Sequence, residues 1–405
     1  ITGARRSGKS FLLFELYYDY LTKEQKVKSE NIILIDLEDP KNKKYEDPAL
    51  LYAFLLSKIT SKKEKYYIFI DEIQAAMNKN KENELDGKVK FHNLLNGLLK
   101  NKNVDVYVTG SNSRLLSTDV VTEFRGRGEK IYVSPLTFSE IYEINKPKNK
   151  VNLLNKYLKL GGMPKIWLTE NSVKQESYLY SLVNDTYIID VINRYNLKND
   201  TIVKYILMYL ASVVGNYVSL KNIVNFYKNK KIGVNEGTLK SYLSHFTEAF
   251  IIQELLRYDT KGKKFLNTIS KYYFTDLGVR NAIVKFRNLD FSNIMENAVF
   301  NELIKREYKV CIGNVFVYEK KARKTLEIDF IASKKNKEYY IQVTENIREE
   351  SKKKQEKKSL LATKNGFKKI IITKDEVLEP YYDEDGILIM DIYQFLLNKN
   401  SLDKF

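Results

Sequence analysis

Gly3-Ala4-Arg5-Arg6-Ser7-Gly8-Lys9-Ser10 fits the phosphate-loop pattern GxxxxGK[ST] at every fixed position. The chemistry follows from the residue types. Glycines let backbone N–H groups close around a β-phosphate, and the N-terminus of the next helix adds a favourable dipole. Lys9 is expected to reach the β- and γ-phosphates of ATP, and the Ser10 hydroxyl to ligate Mg²⁺. Further on, Tyr66-Tyr67-Ile68-Phe69-Ile70-Asp71-Glu72 reads as a buried strand ending in two acids. Asp71 is expected to hold Mg²⁺ through water, and Glu72 to accept a proton from the attacking water.

Other residues could complete such a site. Val104 to Gly110 is a third apolar strand, opening into Ser111-Asn112-Ser113. Asn112 either orients the lytic water or is a polar turn residue. Arg125 and Arg127 are each either an arginine finger, in cis or from a neighbouring subunit, or a surface charge. Asp36 and Glu38, at the exit of the strand beginning at Asn31, line the pocket or simply cap the strand.

The elements that must position these groups follow a pattern. Strands alternating with helices predict a parallel sheet covered on both faces, with ligands at the carboxyl ends of the strands. Lys9, Ser10, Asp71, Glu72 and Asn112 all fall there. The strand ahead of the phosphate loop is represented only by Ile1 and Thr2, so an upstream segment is expected.

After Ser134-Pro135-Leu136 the composition turns helical, with a loop at Gly161-Gly162-Met163-Pro164. Leu220, Ile223, Val224 and Tyr227 repeat at helical spacing, then Leu239, Tyr242, Leu243 and Phe246, with Asn235 as N-cap. A hairpin follows, Ile251 to Tyr258 and Phe265 to Phe274, tipped by Lys261-Gly262-Lys263-Lys264. That order is a winged helix-turn-helix, in which the second helix reads DNA or acts as a lid or docking surface.

The last segment reads as a helix from Glu296 to Lys305 and strands Phe316–Glu319, Leu326–Ala332 and Tyr339–Thr344. Endonucleases of the PD-(D/E)xK type use an Asp on one strand and a Glu-x-Lys on the next to hold Mg²⁺ and stabilise charge. Glu296 and Asp329 fit. Gln342 and Thr344 stand where a carboxylate and a lysine belong, so the site reads as degenerate and inactive. The lysine-rich run Lys352–Lys358 reads as a solvated helix face.

Composition bounds the rest. The chain has 405 residues and a formal charge of +17, which permits attraction to DNA phosphates. One cysteine, Cys311, excludes an intrachain disulfide, and two histidines exclude a histidine-rich metal centre. No apolar run is long enough to span a membrane. A cytoplasmic protein is the default expectation.

Motifs along the chain resemble a large family of prokaryotic AAA-type ATPases with a C-terminal domain of unknown function and restriction-endonuclease-like fold. They are Gly3 to Ser10, Ile70 to Gln74, Thr109 to Ser113, Arg125-Gly126-Arg127, Pro135 to Glu140, Gly161 to Pro164, Lys271 to Gly278 and Glu327 to Phe330. Many members carry Glu-Val-Lys where this chain has Gln342-Val343-Thr344. The expected class is α/β, in three parts. Residues 1–142 form a P-loop ATPase domain, 143–285 a helical and winged-helix region, and 286–405 an inactive nuclease-like domain. The expected function is Mg²⁺-dependent ATP hydrolysis driving a switch or motor on a partner, DNA, another protein or a second copy. The alternatives are an ATP-regulated DNA nuclease and an ATP-binding adaptor without turnover.

Overall fold

A computed structural model describes residues 1–76, 91–112, 128–197, 199–230, 232–287, 289–319, 322–363 and 365–404. These form two compact units, residues 1–134 with 248–250, and residues 135–247 with 251–405.

The first unit is built on β1 (Ile32–Asp36), β2 (Tyr66–Asp71) and β3 (Val104–Val108), parallel in the order β1-β2-β3. Thr2 makes isolated parallel bridges to Gly110 and Tyr132, which brings the start of the phosphate loop beside the end of β3. Side-chain alternation splits the apolar residues between two faces. Tyr66, Ile68 and Ile70 pack with Leu51 and Leu55 of the helix Pro48–Lys58 and with Phe91, Leu94 and Leu98 of the helix Phe91–Leu98. Phe69 packs on the opposite face against Leu13 and Leu21 of the segment after the phosphate loop. Burying each such side chain contributes about 1.5–3 kcal/mol, so both helical layers are held to the sheet. The expectation of a parallel sheet covered on both faces holds here.

In the second unit, helices precede an eight-stranded mixed sheet in the order β10-β11-β9-β8-β7-β6-β4-β5. Its strands are β4 (Ile252–Asp259), β5 (Lys264–Phe274), β6 (Lys309–Glu319), β7 (Ala322–Lys334), β8 (Lys337–Thr344), β9 (Lys368–Thr373), β10 (Tyr381–Tyr382) and β11 (Leu388–Asp391). The helix Phe291–Lys305 packs on one face. On the other face lies the helix Glu350–Leu361, whose Leu360 joins Ile328, Ile331, Tyr340 and Ile371.

Two readings of this region change. The expected hairpin forms, but β4 pairs with β6 in parallel as well as with β5, so the hairpin is an edge of the large sheet rather than a free wing. A cut between 285 and 286 therefore passes through one hydrogen-bonded sheet. The lysine-rich helix is not a uniformly solvated face either. Lys357 is buried with Asp383, Glu384 and Asp385 around its ammonium, and the buried Glu356 pairs with Lys352 at 2.7 Å.

The sequence motifs of the middle prove to be joints. Thr137 and Glu140 form a reciprocal capping box at the helix Phe138–Asn145. Asp276 caps the helix Leu277–Ile283 through Val279 N at 2.9 Å and accepts from Gly162 N at 2.7 Å. Gly161 has φ 71°, and a Cβ there would run into the Asp276 carboxylate. Burial pushes the Asp276 carboxyl up to about 6, against the pull of these N–H donors.

Candidate nucleotide-binding site

The phosphate loop turns through Arg6, in the left-handed region at φ 64°, and Gly8, at φ 101°, before the helix begins at Lys9. The sequence places its one lysine at that start, where N–H groups have no intrahelical partner. Lys9 is 3% exposed, and its ammonium donates to the Ala4 carbonyl at 3.0 Å. Burial pulls Lys9 below the ordinary lysine range, while Glu72 and Asp71 pull the other way. Ser7 is buried, and its hydroxyl has no hydrogen-bond partner among the described residues.

β2 delivers the two acids. Asp71 is its last residue and is hydrogen-bonded to the hydroxyls of Ser10 and Thr109. Burial pushes the Asp71 carboxyl up, and those two hydroxyls act against the shift. Glu72 leaves the strand at φ 52°, a left-handed conformation uncommon for glutamate. Its backbone N–H donates to Thr109 Oγ1 at 3.1 Å. Its carboxylate accepts from Gln74 Nε2, which also donates to Ser111 Oγ at 3.2 Å. Thr109 and Gln74 thus orient the acid pair. Their signal in the sequence was only a polar residue beside each strand end.

Arg5, Arg6, Gly8, Lys9, Ser10, Phe11, Phe14, Asp36, Glu38, Asp71 and Glu72 line a cavity of about 390 Å³. Asp36 and Glu38 therefore line the pocket. Asp36 also accepts from Glu38 N at 2.8 Å, so the capping reading holds as well. Arg5 reaches Glu38 at 2.6 Å, and burial pushes the Glu38 carboxyl up. Asn112 is buried just past β3 but does not line this cavity. Arg125 and Arg127 lie outside the described residues.

The donor set fits a small hard cation. Hydroxyl and carboxylate oxygens, one of them able to act through water, suit Mg²⁺. Ser10 would hold it directly and Asp71 through its hydration shell. A cationic lysine and an unpartnered hydroxyl fit the phosphates.

The nuclease-like residues sort differently. Glu296 and Asp329 come together, with partners not expected from the sequence. Lys271 of β5 is 3% exposed, 2.9 Å from Glu296 and 2.6 Å from Glu327. Tyr273 donates to Glu296, and the Tyr217 ring lies 5.7 Å from the Lys271 ammonium. Burial pulls the Lys271 ammonium down, but Glu296, Glu327 and Asp329 outweigh it and hold it above the ordinary range. Asp329 accepts from Val343 N at 2.8 Å and is pushed well up by burial and by Glu296. Gln342 turns elsewhere, and Ser359 of the opposite helix donates to it at 3.4 Å. Alternation puts Tyr340, Gln342 and Thr344 on that same face. The four expected residues therefore do not converge. Among the described residues, no group of three or more His, Cys, Asp or Glu side chains could hold a metal ion.

The second helix of the winged-helix reading is capped by Asn235, which accepts from Thr238 N at 2.8 Å. His245 on that helix stacks on Tyr195 with ring centroids 3.6 Å apart and bonds Ser241 at 3.0 Å, so its ring is engaged within the protein. No helix among the described residues is long and apolar enough to cross a membrane.

Comparison with known proteins gives a consistent order of segments. Residues 1–142 match an AAA domain, 151–290 a domain of unknown function (DUF8612), and 291–395 another (DUF4143). An uncharacterized protein of Haemophilus influenzae is 32% identical over 404 residues, covering 98% of this chain and 93% of that one. Another, from Methanocaldococcus jannaschii, is 29% identical over 413 residues, covering 98% and 86%. Among solved structures, a Walker-type ATPase of Pyrococcus abyssi is similar with a TM-score of 0.45 and 14% identity, over 70% of this chain and 89% of that one.

Proposed function

The chain belongs to the family of AAA-domain proteins that includes the Haemophilus influenzae relative, and on that premise we propose that it hydrolyses ATP to switch or drive a macromolecular partner. Its first domain is a nucleotide-binding P-loop domain of AAA type. The observation that carries the proposal is the convergence of Lys9, Ser10, Asp71 and Glu72 on one cavity.

Each side chain has a distinct task. Lys9 exchanges its single bond to a neutral carbonyl for bonds to β- and γ-phosphate oxygens, which are charge-assisted and stronger. Mg²⁺, when bound, neutralises phosphate charge and is held by Ser10 and, through water, by Asp71. Glu72 takes the proton of the attacking water, and Gln74 and Thr109 fix its direction. Phe11 and Phe14 supply the apolar part of the wall.

DNA is the partner favoured by the +17 charge. Phosphate release measured with and without duplex DNA tests both halves of the reading. Turnover that DNA stimulates, with stimulation fading as salt rises, supports it. Turnover indifferent to DNA removes that partner and leaves a protein partner or a second copy. ATP binding without any phosphate release reduces the protein to a nucleotide-dependent adaptor.

A further inference from the structure

Arg5 belongs to the phosphate loop itself, yet its guanidinium is turned to Glu38 at 2.6 Å. Both side chains line the cavity that holds Lys9, Asp71 and Glu72. Side-chain exposures of 27% and 48% leave the pair in contact with water. A pair in that setting resists separation by no more than about five-fold. Its acid is a reluctant anion, because burial pushes Glu38 up and Glu72 and Asp36 repel it.

A triphosphate entering this cavity changes the balance. Its oxygens repel Glu38 and offer the planar guanidinium a bidentate acceptor that carries more charge than one carboxylate. We propose that Arg5 is the catalytic residue that meets the charge developing on the γ-phosphoryl group, supplied by the same chain, and that Glu38 holds it aside until nucleotide arrives. The inference rests on the ATPase reading above. In the step it serves, the water oxygen forms a bond to the γ-phosphorus as the bond to the β–γ bridging oxygen breaks. The electron pair leaves on ADP, Glu72 takes the proton from water, and Arg5 stabilises the equatorial oxygens. Arg5 does not depend on a neighbouring subunit, so turnover per chain is independent of protein concentration.

The test uses the full chain as wild type, Arg5→Ala, Arg5→Lys and Glu38→Gln. Three quantities are measured: ATP affinity, kcat, and affinity for ADP with aluminium fluoride, which mimics the transferring phosphoryl group. Arg5→Ala is expected to lower kcat by about 10²–10³-fold, to weaken the aluminium fluoride complex in step, and to change ATP affinity less than about five-fold. Arg5→Lys keeps the charge without the fork and is expected to fall between. Glu38→Gln is expected to tighten ATP by up to about five-fold. Wild-type kcat in Arg5→Ala, or equal weakening of ATP and of the mimic, overturns the role of Arg5. Weaker ATP binding in Glu38→Gln overturns the holding contact. A wild-type protein that neither binds nor hydrolyses ATP overturns the ATPase reading instead, whatever the variants do.

Discussion

The nucleotide pocket and the Lys271 cluster are built from the same residue types and treat their charges in opposite ways. In the pocket, buried Lys9 holds, among the described residues, a backbone carbonyl while two carboxylates stand near it and a cavity of about 390 Å³ stays open. In the cluster, buried Lys271 holds Glu296 and Glu327 directly, and Tyr273 donates to Glu296 as well. A lysine whose best acceptor is neutral has capacity left for an anion. One closed on two carboxylates has spent it on the fold. Burial and charge alone would not separate the two regions; the partners do.

The comparison can be broken first at Lys271. Lys271→Met leaves Glu296, Glu327 and Asp329 without their cation, and breaking such a buried pair costs about 3–5 kcal/mol. Urea unfolding should show the loss, and a variant as stable as wild type would mean the cluster does not hold the fold. Lys9→Ala should do the reverse. ATP affinity falls about 100-fold with the loss of charge-assisted bonds, while the urea midpoint moves less than in Lys271→Met, because the lysine bonds a carbonyl and the nearby carboxylates only attract it from a distance. Equilibrium titration with ATP and one unfolding curve decide it.

Smaller effects sharpen the contrast. Thr109→Val removes the donor to Asp71 and the acceptor of Glu72 N. It should lower kcat about ten-fold, the worth of roughly 1–2 kcal/mol, with ATP affinity kept. The smallest effect concerns acid. Asp329 has a raised pKa in the fold, from burial and Glu296. Its contribution to stability is therefore present below its unfolded pKa of about 3.9 and is lost as pH rises through the folded value. Asp329→Asn should match wild type near pH 4 and exceed it at higher pH, as read from unfolding curves across that range.

The pocket was legible because its information is local. The Gly3–Ser10 spacing and an acid pair closing an apolar strand can be recognised without knowing what lies beside them. The cluster was not. Lys271 reaches Glu327 only because β4 pairs with β6 in parallel, which brings the hairpin β4–β5 into the sheet of β7. No spacing along the chain encodes that pairing. The same long-range pairing turned the expected wing into a sheet edge. Gln342 and Thr344 were aligned with Asp329 by neighbouring strands, but Gln342 accepts from Ser359 of the helix Glu350–Leu361 and the Thr344 hydroxyl donates to the Asn346 carbonyl. Asp276 was visible only as part of a motif, its task hidden because Gly162 lies 114 positions away.

That distance has a consequence for how the chain is made. Gly162 leaves the ribosome long before the carboxylate that ties it down. The helices up to Leu160 must wait, unanchored at that end, until Asp276 and the first strands of the large sheet emerge. Closing so long a loop is slow compared with forming the local helices. The nucleotide domain, whose described strands β1 to β3 precede residue 110, is free to assemble during that delay.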